Sequence, residues 1–159
     1  MARRAKPVKR SKTKTKKKAK RVKVEAKPKI RRRLARLWLL KVRALWDNKC
    51  AVTKVPGEEN KLDCHHLENR STCARLRYDP LNGILLCPSY HKWGRNSAHK
   101  GCIWFASWLR KHHRPMWKYV LRHRNEKLDL NDREVLQRLE LQLTTPISEY
   151  ERSVVARDQ

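Results

Sequence analysis

Four histidines and an asparagine follow one another in a fixed order within 35 residues: His65-His66, Asn82, His91 and His99. Their surroundings change character along the run. The histidine pair ends a short apolar-flanked stretch, Leu62-Asp63-Cys64, and Asn82 lies in the turn-forming sequence Asp79-Pro80-Leu81-Asn82-Gly83. Proline presets φ there, while asparagine and glycine tolerate the tight bend. His91 comes after Ile84-Leu85-Leu86 and opens a predicted helix. The expected local order is strand, turned loop, strand, helix. Such a frame is compact enough to aim imidazoles from both of its ends at one metal ion.

The basic start of the chain limits how much of it can join that frame. Residues 1–33 hold 18 of the 41 lysines and arginines and one acidic residue, Glu25, so they carry +17 of the formal +26. A run such as Ser11 to Lys20, with Lys16, Lys17 and Lys18 inside it, buries too little apolar surface to offset its ordering entropy. Residues 1–29 are therefore expected to be a disordered nucleic-acid-binding tail, leaving about 130 residues for a small, thin core. A solvated arm that serves only solubility is the bland alternative. The charge selects a polyanionic partner. The longest dense apolar run, Leu37-Trp38-Leu39-Leu40, is too short to span a bilayer, and no apolar segment of a secretory signal follows the basic start. Nucleic acid, not a membrane, is the expected partner. Five cysteines at irregular spacing fit a reducing cytoplasm better than secretion.

Beyond the tail, Ile30, Leu34, Leu37, Trp38, Val42 and Leu45 recur at helical spacing among arginines and lysines, which predicts an amphipathic helix over 30–48. Pro56-Gly57 marks a loop. Ile103, Phe105, Ala106 and Leu109 predict a helix from Cys102 to His113 that packs on the histidine module, with Pro115 ending or kinking it. A short helix over Met116–Arg124 follows. Asn131, three residues before Glu134, resembles a capping box for a helix carrying Val135, Leu136, Leu139 and Leu143, which Pro146 closes. The last dozen residues are polar and give no clear element. The tryptophans near Cys102–Trp117 are expected in the core more than as base-stacking platforms.

The ordered set Asp63-Cys64-His65-His66-Leu67, Asp79 to Cys87 and His91 resembles the HNH endonucleases, the ββα-metal nucleases. Within them it resembles the small phage recombination-type and homing-type members, over roughly Cys50 to Leu109. The resemblance implies an α+β fold: a ββα-metal module over 49–113, preceded by the helix 30–48 and followed by a helical extension over 114–159. It also implies roles. His65 is a metal ligand and His66 the general base, a division that suits neighbours pointing to opposite faces of a strand. Asn82 ties down the loop that carries the base; read alone it is an ordinary turn residue. His91 and His99 complete the ligand set for one divalent ion, whether magnesium, manganese, nickel or zinc. Many members place a ligand one helical turn after the first, which here is Arg95 and cannot ligate. His99 takes that part, with Asn96 as the substitute if His99 points away. Arg70, Arg75, Arg77, Lys92 and Arg95 flank the motif, and one or more of them is expected to grip a phosphate.

The cysteines depart from the family pattern. Where many members carry two Cys-x-x-Cys pairs around a structural zinc, this chain has Cys50-Ala-Val-Thr53 and Cys87-Pro-Ser-Tyr90. A closed zinc site takes four nitrogen or sulfur ligands, so no structural zinc is expected unless Cys64 and Cys73 contribute, and Cys64 should face the core. The implied activity is hydrolysis of DNA phosphodiester bonds, with nicking as the elementary event, by a protein of phage type acting in the host cytoplasm. A homodimer or other phage proteins are the further partners to expect. RNA stays open as substrate. The rival reading is a silent nucleic-acid-binding or packaging protein that has kept the fold.

Overall fold

A computed structural model of the chain describes residues 25–57 and 61–156. The expected tail, with Lys16, Lys17 and Lys18, lies almost wholly outside the described residues. Helix α1 (Lys27–Leu45) starts three residues earlier than the apolar spacing predicts, because Pro28 occupies its first turn, where a missing N–H costs nothing. Asp47 and Asn48, at φ 48° and 50°, turn the chain out of the helix. The α1 face formed by Ile30, Leu34, Trp38, Val42 and Leu45 is buried and forms the spine of the core.

Two four-residue strands, β1 (Asp63–His66) and β2 (Gly83–Leu86), pair antiparallel with His65 opposite Ile84 and His66 opposite Gly83. A two-stranded sheet is not stable by itself in water. This one is covered: every residue of β2 is buried, and α1 packs directly on it. The approach is so close that a Cβ on Gly83 would collide with the side chains of Val42 and Trp38. Two buried indoles fasten the contact, with Trp46 Nε1 donating to Gly83 O and Trp38 Nε1 donating to Asp79 O, each at 2.9 Å. Both indoles thus bury their ring surface without orphaning their N–H.

Helices α2 (Cys102–His112) and α3 (Arg114–His123) are separated at His113, just before Pro115, as expected of a proline that cannot continue a helix. Helix α4 (Arg133–Thr144) is capped by Asp132, whose carboxylate accepts from Glu134 N at 2.8 Å, rather than by Asn131. The last residues are not featureless. Ser148 and Glu151 form a reciprocal capping box that starts α5 (Glu149–Val155), and Val154 and Val155 are buried against the core. Glu151 also pairs with buried Lys41 at 3.0 Å, tying α5 to α1. The result is a mixed α+β domain with one small antiparallel sheet enclosed by helices. Among the described residues no helix is long and apolar enough to cross a membrane.

Candidate metal centre

Strand alternation divides β1 between two sides. Asp63 and His65 face the turn after β2: Asp63 meets His91, and the His65 ring lies edge-on to His91, His99 and Phe105. Cys64 and His66 face α1, with Cys64 Sγ 3.8 Å from Leu39 O and the His66 ring stacked on Trp38. Burial beside α1 pushes the Cys64 thiol up to about 11, so it stays protonated at pH 7, on the side of the strand opposite His65.

His91 does not open a regular α-helix. It lies in a short π-helical turn, Ser89–Trp93, which Gly94 ends. The chain then doubles back, with Ala98 N donating to Tyr90 O at 2.9 Å and His99 N to His91 O at 3.3 Å. Gly101 permits the return, since any side chain there would meet Arg95 O. This reversal brings His99 beside His91, and Asn96 is left exposed. Ser97, fully buried, receives the Lys100 N–H and braces the bend.

His65, His91 and His99 each offer a ring nitrogen, and these atoms lie within 4.8 Å of one another. The group could hold a metal ion. His91 Nδ1 lies 2.8 Å from Asp63 Oδ2. A carboxylate only accepts, so Nδ1 carries the proton and Nε2 presents its lone pair. That Nε2 is 3.2 Å from His99 Nε2. Two nitrogens bound tetrahedrally at the usual zinc distance would lie about 3.3 Å apart, so the pair is already spaced as ligands. A carboxylate behind a ligating imidazole orients it and raises its basicity. Burial, reinforced by the neighbouring imidazoles, pushes His65 down to about 3, so it is neutral and able to ligate at pH 7. The bond from His91 holds the Asp63 carboxyl below its ordinary range. The three imidazoles border a cleft of about 420 Å³, wide enough to admit a further group from solvent beside them.

His66 stands next to this cluster yet outside it. Its Nε2 is 3.0 Å from Arg77 O, a group that can only accept, so Nε2 carries the proton and Nδ1 is the basic nitrogen. The Trp38 indole lies parallel to the ring, centroids 3.9 Å apart and planes 9° off. Burial lowers the His66 pKa and the Arg70 and Arg77 charges lower it further, against the Arg77 carbonyl, so the ring is neutral at pH 7. Asn82 is fully buried. Its Oδ1 accepts from Glu68 N at 2.7 Å, while Nδ2 donates to Glu68 O at 2.9 Å and to Leu76 O at 3.0 Å. The amide pins both ends of the segment that follows the histidine pair.

The five basic candidates separate by partner. Arg75 is turned inward: it pairs with buried Asp79 at 2.9 Å, and Tyr119 donates to the same carboxylate oxygen. That ion pair organises the turn before β2 and leaves the Arg75 side chain 25% exposed. Lys92 shares Asp63 with His91 at 3.0 Å. Arg70 borders the metal cleft, Arg77 lies beyond His66, and Arg95 is exposed on the loop between His91 and His99. Cys50 and Cys87 do meet, sulfurs 3.7 Å apart, with Ser89 Oγ 3.4 Å from Cys87 Sγ. Tyr90 packs on Trp104 instead of joining them. Of the tryptophans between Cys102 and Trp117, Trp108 is buried in the core and Trp104 and Trp117 pack half-buried against it, while Trp93, ahead of them, is 70% exposed.

Sequence reasoning overlooked Asp63, Trp38 and Phe105. Asp63 had a signal, since it sits two residues before His65 and so on the same strand face. No family model, curated protein or solved structure matches the chain.

Proposed function

We propose that this protein is a metal-dependent endonuclease of the HNH type that hydrolyses DNA phosphodiester bonds, one strand at a time. The observation that carries the reading is the split of adjacent histidines on β1. His65 joins a three-imidazole cluster backed by Asp63, while His66 is held apart as a neutral ring with a free Nδ1. A binding protein has no use for that separation; water-activating chemistry requires it.

A divalent ion, when bound by His65, His91 and His99, supplies Lewis-acid stabilisation of the scissile phosphate and its leaving oxygen. An all-imidazole set favours zinc, nickel or manganese over magnesium on affinity. His66 Nδ1 accepts the proton of the attacking water, and its Nε2–H bond to Arg77 O keeps the correct nitrogen free. The Trp38 face stops the ring from tilting. Asn82 fixes the segment leading away from His66, and Arg70 at the cleft edge offsets charge on the phosphate.

The test is nicking of supercoiled plasmid by the full chain with manganese, with EDTA, and after His66→Ala. Nicking that needs the metal and falls ~100- to 10,000-fold in His66→Ala is expected of a lost general base. No metal-dependent nicking by the wild type, or a variant within a few-fold of it, overturns the reading in favour of a silent DNA-binding protein.

A further inference from the structure

On the α1 side of His66 lies a second groove, about 280 Å³, which shares His66 and Arg70 with the metal cleft. Its composition differs from the rest of the surface. Arg31, Arg32, Arg70 and Arg77 line it, and no acidic residue does. Among the described residues none of these four arginines has a carboxylate partner, whereas Arg33, Lys41, Arg75 and Arg124 each do. Arg31 is anchored by neutral groups, Leu130 O and Asn131 Oδ1, each at 2.8 Å. Arg77 lies 5.6 Å over the Tyr78 ring, which sets the height of its charge. The apolar part of its lining is Ala35 and Leu39, the latter 43% exposed, with buried Trp38 and Tyr78 beneath them.

Charge alone would serve a phosphate backbone sliding past. An apolar floor under a rim of arginines serves something with a flat apolar face and an attached anion. A volume just below the usual range for small organic ligands, about 300–1,000 Å³, limits the occupant to one such unit. We infer that this groove seats a single unpaired nucleotide next to the scissile phosphate, its base on Leu39 and Ala35 and its phosphate between Arg32 and Arg77. The assignment rests on the nuclease reading and narrows its substrate to DNA that releases a base cheaply: a bulge, a flap or a branch. Drawing a base out of intact duplex costs stacking and pairing, and the cost is least where the base is already unpaired.

The experiment is carried out without metal, in EDTA, so that it does not depend on cleavage. Full-length protein is titrated by fluorescence anisotropy with two probes: a fully paired duplex, and the same duplex with one bulged 2-aminopurine. The bulged probe should bind about fivefold more tightly, the gain from burying ~40 Å² of apolar base surface at about 25 cal/mol per Å², and its fluorescence should rise as the base leaves the stack. Leu39→Asn should erase the preference while keeping duplex affinity and the thermal melt. Arg32→Ala with Arg77→Ala should lower the slope of log affinity against log salt by about 0.7 to 0.9 for the shared phosphate. Equal affinity for both probes, or a preference that survives Leu39→Asn, overturns the seat. If plasmid nicking fails while the bulge preference stands, the nuclease reading falls and the nucleotide seat does not.

Discussion

Replacing Asp63 by asparagine separates orientation from charge at the metal centre. Asn has the same size, and its carbonyl oxygen can still accept the His91 Nδ1–H that now reaches Asp63 Oδ2 at 2.8 Å. The tautomer that exposes His91 Nε2 is therefore kept, and only the negative charge is lost. Removing an outer-shell carboxylate ordinarily weakens metal binding about 10- to 100-fold. Two features place this case at the low end. The Asp63 side chain is 39% exposed, and its charge is already shared with Lys92 at 3.0 Å. The expected loss is about tenfold, or ~1.4 kcal/mol. Titration of the full chain with zinc against a competing chelating dye measures it directly. At saturating zinc the same loss should remove ~1.4 kcal/mol of metal-dependent stabilisation. His91→Ala, which deletes a ligand, should weaken binding far more. Unchanged affinity in Asp63→Asn would refute the role of the carboxylate, and a loss equal to that of His91→Ala would show that Asp63 itself ligates.

Asn82→Ala leaves Glu68 N, Glu68 O and Leu76 O without their buried partner, which should cost about 2–4 kcal/mol, seen as a lower urea midpoint at unchanged slope; a loss under ~1 kcal/mol would contradict the pinning role. The metal-free protein should lose stability as the pH falls below ~6.5. There the unfolded chain takes up protons that His65, pushed down to about 3, and His66, also lowered, refuse while folded, so stability drops by up to ~1.4 kcal/mol per pH unit for each. A flat stability curve between pH 6.5 and 4.5 would exclude this. Deleting residues 1–24, which hold 13 lysines and arginines, should weaken binding to all DNA alike and flatten its salt slope by several units, at about 0.9 per phosphate released; an unchanged slope in the folded truncated protein would remove the tail from DNA binding.

How much of this was legible beforehand depended on whether the signal was local. Helix α1 was, because its buried face follows the 3.6-residue period. The histidine order was enough to expect His65, His91 and His99 together, although the short π-helical turn around His91 carries no periodic signature. Helix α5 was missed by weighing polarity instead of spacing: Ser148 and Glu151 stand three apart, a start signal that needs few apolar residues after it. The Arg75–Asp79 pair was legible as a local signal, since Asp79 follows Arg75 by four residues. The Trp38 stack on His66 was out of reach. It joins residues 28 positions apart, and nothing in either neighbourhood announces the other.

The missing side chain at Gly83 fixes what counts as the smallest transferable piece of this protein. Because no Cβ fits between β2 and the Trp38–Val42 face, helix and hairpin were shaped as mating halves. A graft of residues 49–113 into another scaffold would carry every histidine of the cluster and leave behind the surface that β2 was moulded to meet. It would also strip the Trp38 face from His66 and uncover Leu85, which shares the α1 side with Cys64 and His66. The heritable unit of the site therefore begins at Lys27, and any natural or designed recombination that respects it must cut the chain ahead of α1.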